Sequence, residues 1–375
     1  MLQSLFVYPL LVLVMLYLAY VGRGKESWKY MVYACMVYAV VFGMRYGVGT
    51  DYLSYKEAYE VLAGQFGATD NVEKMEWGFR KMSQLMAVCG VHYTFYFGII
   101  AFAQLLLTFW AFKDKYEGYP YLVFTFMVSC CMWLTYSNGL RQILVVSLWI
   151  LAIRLAVDRK PWQFYITVVS GLLFHNSAVL LLPMYPLLRY TPRDWVRSVP
   201  VQLALLAVSL VVMKLAVVQS LFGRMDALLQ LAGYEVYAQS SQAENVERTV
   251  TLGIGFVITF AIILLIIIYS RRMKEYFDSP LLEAYYNMFL VGVLMKYIFL
   301  SSNLFGRINY FFINTMFIVL AAMLQYAHRR DRRLFYVLIG LSFLSFFAVI
   351  LKGSENTADF IFFFQDDLHY LKTHL

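Results

Sequence analysis

The sequence predicts an all-α protein that crosses a membrane many times. Of its 375 residues, 61% are hydrophobic and only 14% are charged, whereas soluble domains have about 45–50% and about 25%. Several apolar runs are long enough to span about 30 Å of hydrocarbon as a helix, which takes roughly 20 residues. The composition therefore excludes a soluble enzyme, a disordered regulator and a disulfide scaffold.

Apolar runs along the whole chain are predicted to form membrane helices. In chain order they cover about 3–21, 28–44, 94–112, 120–136, 140–157, 198–219, 249–270, 281–300, 308–327 and 334–352. The first run lacks a basic amino-terminal region and a small-residue cleavage site, so we expect a retained helix rather than a signal peptide.

The stretch 162–188 is too long for one membrane helix and short for two, and the basic clusters decide between these readings. The clusters contain Arg23/Lys25/Lys29, Lys113/Lys115, Arg154/Arg159/Lys160, Arg189/Arg193/Arg197, Arg271/Arg272/Lys274 and Arg329/Arg330/Arg332/Arg333. All of them face the cytoplasm only if 162–188 enters the membrane and returns, with its turn at His175 on the outer side. We therefore predict about 11–12 membrane helices, including a hairpin around His175, with both termini outside.

The net charge of +8 is explained by this topology. In a soluble protein, such an excess of Lys and Arg would suggest a nucleic-acid partner. In a membrane protein it belongs to the cytoplasmic loops, so the sequence predicts no nucleic-acid partner. The four cysteines form no CxxC or His/Cys cluster, and we expect neither a zinc site nor a disulfide framework.

The chain is predicted to be a single polytopic membrane domain over residues 1–375, with two longer outer loops at 45–93 and 220–248. The first loop is amphipathic, since Tyr52, Tyr55 and Tyr59 recur at helical spacing. Such helices are expected to lie against the membrane or to cap the bundle.

Charged and polar residues from distant parts of the sequence share the outer face in this topology. They are Arg45, Asp51, Glu76, Arg141, Gln142, His175, Arg307 and Tyr310. Several have an ordinary alternative. Arg45 could extend to the membrane interface, Asp51 could cap the following helix and Glu76 could belong to a solvated face. A lone histidine such as His175 is usually a satisfied core residue.

Arg141 and Arg307 are harder to explain in ordinary terms. Each follows a short Ser/Asn-containing segment and lies beside an apolar run. An arginine in that position needs water, an acidic partner or a phosphate. Arginines that share one region are suited to bind a polyanion, because a guanidinium can form two parallel hydrogen bonds with a phosphate. Nearby carboxylates and an imidazole supply general-base options.

The sequence contains no nucleophile elbow, P-loop, HExxH motif or GxGxxG fingerprint. Nothing in it therefore indicates the use of a nucleotide. A phosphate-bearing substrate within a membrane suggests a lipid phosphate or diphosphate.

An ordered set of motifs over most of the chain resembles that of EpsG-like proteins, a branch of the Wzy-type polysaccharide polymerases. The motifs are Arg45–Tyr52 with Tyr55, Glu76–Phe79, Leu140–Gln142, Phe174–Ala178, and Arg307 with Tyr310 and Phe311. Two features depart from the family pattern. Ile143 stands where a small residue is expected, and 220–248 matches no motif.

The resemblance implies a polymerase of lipid-linked oligosaccharide repeat units in a bacterial plasma (inner) membrane. It implies a multi-pass fold related to C-type glycosyltransferases, with the active site facing outward. The growing glycan would leave undecaprenyl diphosphate for a sugar hydroxyl of the next lipid-linked unit, building exopolysaccharide, O-antigen or capsule. The implied partners are undecaprenyl-diphosphate-linked oligosaccharide, membrane lipid, and chain-length regulator and flippase proteins. No cofactor is required, and a divalent metal is not indicated.

The resemblance also suggests roles for individual residues. Diphosphate or substrate binding is expected of Arg45, Arg141, Gln142, Arg307, Tyr310 and Tyr52. Asp51 is the first choice of base for the acceptor hydroxyl, and Glu76 and His175 are alternatives. His175 could instead bind the diphosphate or orient a carboxylate.

Three other functions remain open at this point. A glycan ligase would use the same leaving group. A flippase for lipid-linked glycans would need polar residues at mid-membrane depth, where these spans are nearly free of charge. A sugar O-acyltransferase would draw acyl groups from the cytoplasm, so we would expect its His and acid residues nearer that side.

Overall fold

The computed structural model describes residues 2–64, 72, 75–190, 193–215, 253–299, 302–353 and 358–365, and these residues are overwhelmingly helical. Contacts divide the chain into two compact units, the first formed by 1–190 with 333–375 and the second by 191–332. The predicted outer loop 220–248 lies outside the described residues.

The described α-helices follow the predicted apolar runs closely. They are α1 (Leu2–Gly24), α2 (Lys29–Gly43), α3 (Tyr52–Leu62), α4 (Trp77–Val88), α5 (Tyr93–Trp110), α6 (Tyr119–Phe124), α7 (Met132–Asn138), α8 (Leu140–Val157), α9 (Pro161–Leu172), α10 (Met184–Tyr190), α11 (Val199–Lys214), α12 (Ile254–Phe277), α13 (Pro280–Ile298), α14 (Asn303–Ile313), α15 (Met316–Arg330) and α16 (Arg332–Lys352). Shorter 3₁₀ or π segments cover Tyr116–Gly118, Thr125–Ser129, Asn176–Leu181 and Phe363–Gln365.

Six helical segments in the described part of the chain are long and apolar enough to cross a membrane. They are α1, α5, α8, α12, the α14–α15 segment from Phe305 to Arg330, and α16. The predicted number of about 11–12 also counted runs that form shorter or broken helices. Among these, α2 and α11 are apolar but shorter. The chain is thus an all-α polytopic membrane protein.

The predicted span at 120–136 is broken. The helical segment from Tyr116 to Ser129 and α7 together are apolar enough for one span, but they meet at a bend of 70°. Cys131, directly before α7, has a left-handed backbone with φ of 45°. A non-glycine residue rarely adopts this conformation, and the apolar sequence gives no sign of it.

The stretch 162–188 reverses direction as predicted. After α9 the chain turns, passes through the 3₁₀ segment and continues as α10. The ring of Tyr185 in α10 lies 5.2 Å from that of Phe164 in α9, so the first turns of both helices are neighbours. His175 lies at the apex of this hairpin.

The first unit packs around α8, whose residues are mostly buried. Aromatic rings fill much of the remaining core; Tyr8 of α1 stacks on Trp133 of α7 at 4.1 Å. One face of α1 and of α16 instead exposes large apolar side chains, as expected of helices that contact lipid.

The chain's only described β-structure joins the first loop to the tail. Strand β1 (Arg45–Tyr46) pairs antiparallel with β2 (Ile361–Phe362), and Arg45 lies opposite Phe362. Tyr8 of α1 donates a 2.7 Å hydrogen bond to the carbonyl of Ala358. The tail segment 358–365 therefore packs at the end of the first unit where α2 ends.

The second unit contains a buried polar network. Lys274 of α12 forms a 2.5 Å ion pair with Asp194 and lies 4.0 Å from the ring centre of Tyr286. Glu283 and Asn287 of α13 accept the backbone N–H groups of Asp194 and Trp195. These contacts fix the segment that leads into α11.

Candidate functional site

The first turn of α8 carries the central contact of the site. Arg141 donates a 2.6 Å hydrogen bond from Nη1 to Oε2 of Glu76, which directly precedes α4. The side chain of Glu76 is only 10% exposed and that of Arg141 25%, so the pair is screened less than a surface ion pair. The solvated-face alternative for Glu76 does not describe this position.

Tyr55 of α3 completes the surroundings of Arg141. The guanidinium carbon lies 5.9 Å from the centre of the Tyr55 ring, a cation–π distance. Burial raises the pKa of Tyr55, and the neighbouring Arg141 opposes that rise. The first outer loop therefore places a carboxylate and an aromatic ring against the guanidinium.

Glu76 also connects Arg141 to the apex of the hairpin. Its Oε1 accepts a 3.3 Å hydrogen bond from the backbone N–H of Asn176. His175 is 7% exposed, and its Nδ1 accepts the backbone N–H of Ser177 at 3.2 Å, with the Ser177 hydroxyl at 2.6 Å. An Nδ1 that accepts leaves the proton on Nε2 in the neutral ring. His175 in this tautomer is suited to donate a hydrogen bond to an anion through Nε2.

Gly78 permits the close approach of α4 to the hairpin. A Cβ at this position would lie 2.5 Å from Cβ and 2.6 Å from the carbonyl oxygen of Leu173. The adjacent Phe79 donates its backbone N–H to that same carbonyl at 3.1 Å. Only glycine brings the two backbones close enough for Glu76 to reach Asn176.

Asp51 lies on the same side of the first unit, on a turn held by the α7–α8 connection. Its backbone N–H donates at 2.9 Å to Oδ1 of Asn138, which also accepts the Thr50 hydroxyl at 2.8 Å. Asp51 precedes α3 at the N-cap position, but its side chain makes no capping hydrogen bond. Its carboxylate is exposed.

Arg45 has a different environment from Arg141. It is 1% exposed, and its guanidinium donates to the backbone carbonyls of Phe42, Val48 (3.4 Å) and Ser137 (3.1 Å). Tyr52 lies against it at 5.4 Å and donates its hydroxyl to the Arg45 carbonyl. Burial lowers the pKa of Arg45. Arg45 and Tyr52 thus hold the loop together. These contacts favour a structural role for both residues over the diphosphate binding expected of them.

The other predicted site residues are distributed as follows. Gln142 follows Arg141 in the first turn of α8 and is 7% exposed. Arg307 and Tyr310 belong to the second unit, where both are exposed on α14. They are three residues apart and so share one face of that helix.

The opposite end of the first unit is basic. Arg154, in the last turn of α8, donates to Asp114 at 2.5 Å and to the Ala111 carbonyl at 2.6 Å. Trp28, before α2, contacts the ring of Trp110 at the end of α5. Because α8 has 18 residues, its two ends are separated by about 27 Å. The predicted site residues of this unit thus lie at one end, and basic clusters predicted to be cytoplasmic lie at the other.

Comparison with known families assigns the chain. The model of the EpsG family matches residues 28–364. The chain belongs to the EpsG family. This is the family of Wzy-like polysaccharide polymerases, and the match confirms the resemblance seen in the motifs. No curated protein and no solved structure matches the chain.

The matched range begins just before α2 and ends within the tail. It therefore includes every residue of the candidate site in the first unit, from Arg45 to His175, as well as strand β2. The sequence did not single out two polar residues of the candidate site, Thr50 and Asn138. Asn138 could have been noticed because it lies three residues before Arg141 in a connection too short to move independently.

The arrangement can bind an anion and can accept a proton at neighbouring positions. Arg141 offers a partly exposed guanidinium, and His175 is suited to donate a hydrogen bond. Asp51 offers an exposed carboxylate on a turn held by side-chain hydrogen bonds. Glu76 already accepts a hydrogen bond at each carboxylate oxygen, from Arg141 at Oε2 and from the Asn176 backbone at Oε1.

Proposed function

We propose that this EpsG-family chain polymerises lipid-linked oligosaccharide repeat units at the outer face of a bacterial plasma membrane. The substrate would be a glycan on a polyprenyl diphosphate such as undecaprenyl diphosphate, and the product exopolysaccharide, O-antigen or capsule glycan. The observation that carries the proposal is the convergence of Arg141, Glu76 and the His175 apex at one end of the first unit, in a chain of this family.

In the proposed reaction, a hydroxyl oxygen of the incoming repeat unit attacks the anomeric carbon of the growing chain. The new C–O bond forms as the bond from that carbon to the diphosphate oxygen breaks, and the diphosphate lipid leaves with the bonding electrons. The hydroxyl proton passes to Asp51. The transition state has oxocarbenium character, so negative charge on the leaving phosphates must be stabilised.

Arg141 is proposed to supply that stabilisation, with His175 as a hydrogen-bond donor. One well-placed donor to developing charge contributes about 2.7–4 kcal/mol to the barrier. Glu76 holds the guanidinium in place between catalytic cycles, so Arg141 is preorganised when the diphosphate arrives. We assign Glu76 this role rather than that of the base.

The outward orientation is also part of the proposal. The site residues and the tail lie at the end of the first unit opposite the Arg154–Asp114 pair. Since cytoplasmic loops carry an excess of Lys and Arg, the basic end is assigned to the cytoplasm. The site end then faces outward, where lipid-linked glycans are assembled into polymer.

The direct test is size analysis of surface and lipid-linked glycan in cells that lack the chain. We expect single lipid-linked repeat units to accumulate and long glycan to disappear. Accumulation of long lipid-linked chains would instead indicate a ligase. Glycan of normal length that lacks acyl groups would indicate an acyltransferase, and repeat units trapped on the cytoplasmic side would indicate a flippase.

A further inference from the structure

Asn138 connects the two loops that carry Asp51 and Arg141. Its Oδ1 accepts hydrogen bonds from the Asp51 backbone N–H at 2.9 Å and from the Thr50 hydroxyl at 2.8 Å. The donors are 87 and 88 residues away in sequence. An amide oxygen with two lone pairs is suited to accept both.

The backbone at Ser137 and Asn138 is held as well. Arg45 donates to the Ser137 carbonyl at 3.1 Å. Gly49 has φ of 98°, and a Cβ there would lie 3.1 Å from the Asn138 Cα. Glycine at 49 therefore lets the Asp51 turn pack directly on the α7–α8 connection. Asn138 is the side chain that joins the two loops at this point.

The shared hydroxyl of Thr50 has a chemical consequence. Its oxygen lies 2.8 Å from Oδ1 of Asn138 and 3.3 Å from Oδ1 of Asp51. A hydroxyl donates only one hydrogen, and the shorter contact assigns it to Asn138. Without Asn138 the hydroxyl would turn to the Asp51 carboxylate, and a hydrogen bond to the ionised form makes a carboxylate a weaker base.

We propose that Asn138 is a positioning residue for Asp51. Asn138 holds the Asp51 turn on the segment that leads to Arg141, and it keeps the Thr50 hydroxyl directed away from the Asp51 carboxylate. This inference rests on the proposed function, in which Asp51 takes the proton of the acceptor hydroxyl. Asn138 is followed by Gly139, Leu140 and then Arg141. One short segment therefore carries Arg141 and holds the turn of Asp51.

The test uses the purified full chain and lipid-linked glycans extracted from cells that lack it, with kcat and KM for polymer formation as readouts. N138L removes the acceptor oxygen at similar volume. We expect its kcat to fall about 10–100-fold, since a small misplacement can cost that much, with KM within about twofold. Q163L, which removes an exposed side-chain amide of α9 at the other end of the unit, should behave as wild type.

The double variant N138L/T50V distinguishes positioning from a merely structural link. Removing the Thr50 hydroxyl from the N138L background should recover part of kcat, because the carboxylate loses the unwanted donor. N138D supplies a second variant that retains an acceptor oxygen and so should fold normally. It can still accept both hydrogen bonds, so its kcat should stay above that of N138L.

A wild-type kcat in N138L overturns the inference. So does a kcat in N138D or in the double variant that is no higher than in N138L. D51N separates this failure from that of the proposed function. If D51N loses kcat while the Asn138 variants keep it, only the role of Asn138 is refuted. If D51N itself keeps wild-type kcat, Asp51 is not the base and the proposed mechanism fails at that step.

Discussion

Oε2 of Glu76 lies 2.6 Å from Nη1 of Arg141, although 65 residues separate them in the sequence. Glu76 precedes α4 in the first outer loop, and Arg141 opens the central helix of its unit. The same carboxylate accepts the Asn176 backbone N–H at the hairpin apex. One acidic side chain thus holds together three segments on which the proposed chemistry depends.

Glu76→Gln is expected to destabilise the protein by about 1–3 kcal/mol, because it removes the negative charge that lies 2.6 Å from the largely buried guanidinium of Arg141. The amide can still accept the Asn176 N–H, so the loss reports mainly on the ion pair. Thermal unfolding of the purified protein in detergent measures it. Glu57→Gln is the control, since Glu57 is an exposed acid of α3. Equal unfolding temperatures for the two variants would contradict a stabilising role for the pair.

Arg45→Lys is expected to reduce stability by about 1–3 kcal/mol while leaving KM for lipid-linked glycan unchanged. A lysine ammonium cannot reproduce the planar fork that serves the Phe42, Val48 and Ser137 carbonyls, and buried carbonyls left without a donor are costly. Unfolding temperature and KM are measured together, with Arg80→Lys of α4 as the control. A raised KM at normal stability would show that Arg45 binds the diphosphate after all.

Gly78→Ala is expected to push α4 away from the hairpin, since its Cβ would meet backbone and Cβ of Leu173 at 2.6 and 2.5 Å. Overpacking of this kind typically costs about 1–3 kcal/mol. The displaced Glu76 should also lower polymer formation. Gly340→Ala of α16 is the matched control, because nothing lies within 4 Å of its Cβ. Activity as high in Gly78→Ala as in the control would show that this contact does not position the site.

Cys89 provides a native probe of orientation. It is the exposed cysteine at the end of α4, whereas Cys35 and Cys131 are buried and Cys130 is half-buried. A membrane-impermeant maleimide should therefore label the chain in cells with an intact plasma membrane, and Cys89→Ser should abolish that labelling. Labelling only after the membrane is opened would place the site end in the cytoplasm and reverse the proposed topology.

Much of the fold could be predicted from hydrophobicity alone. The apolar runs matched helices, and the basic clusters around 162–188 correctly required a reversal at His175. The break before α7 could not be predicted, because the left-handed Cys131 lies in an uninterrupted apolar run. The pairing of β1 with β2 was also missed, since strands of two residues carry no periodic signal.

The sequence predicted which residues share the candidate site better than it predicted what each of them does. One-sided placement of Arg45, Asp51, Glu76, Arg141 and His175 followed from topology, and the first unit brings them to one end. The sequence could not distinguish the contacts of Arg45 from those of Arg141, because each lies at the end of an apolar run. In the structure Arg45 donates to backbone carbonyls, whereas Arg141 pairs with a carboxylate. The sequence shows only that Asn138 lies three residues before Arg141. Its two hydrogen bonds exist only in the folded chain.

The central claim is that Arg141 stabilises the leaving diphosphate during polymerisation, and glycan length measures this most directly. The experiment compares cells that carry Arg141→Gln or Arg154→Gln at matched protein levels. Arg141 lies in the first turn of α8 and Arg154 in the last turn. The first variant therefore removes a guanidinium from the site end, and the second removes one from the basic end. We predict single lipid-linked repeat units and no long glycan with Arg141→Gln, and a normal length distribution with Arg154→Gln. Long glycan of normal distribution with Arg141→Gln would contradict the account.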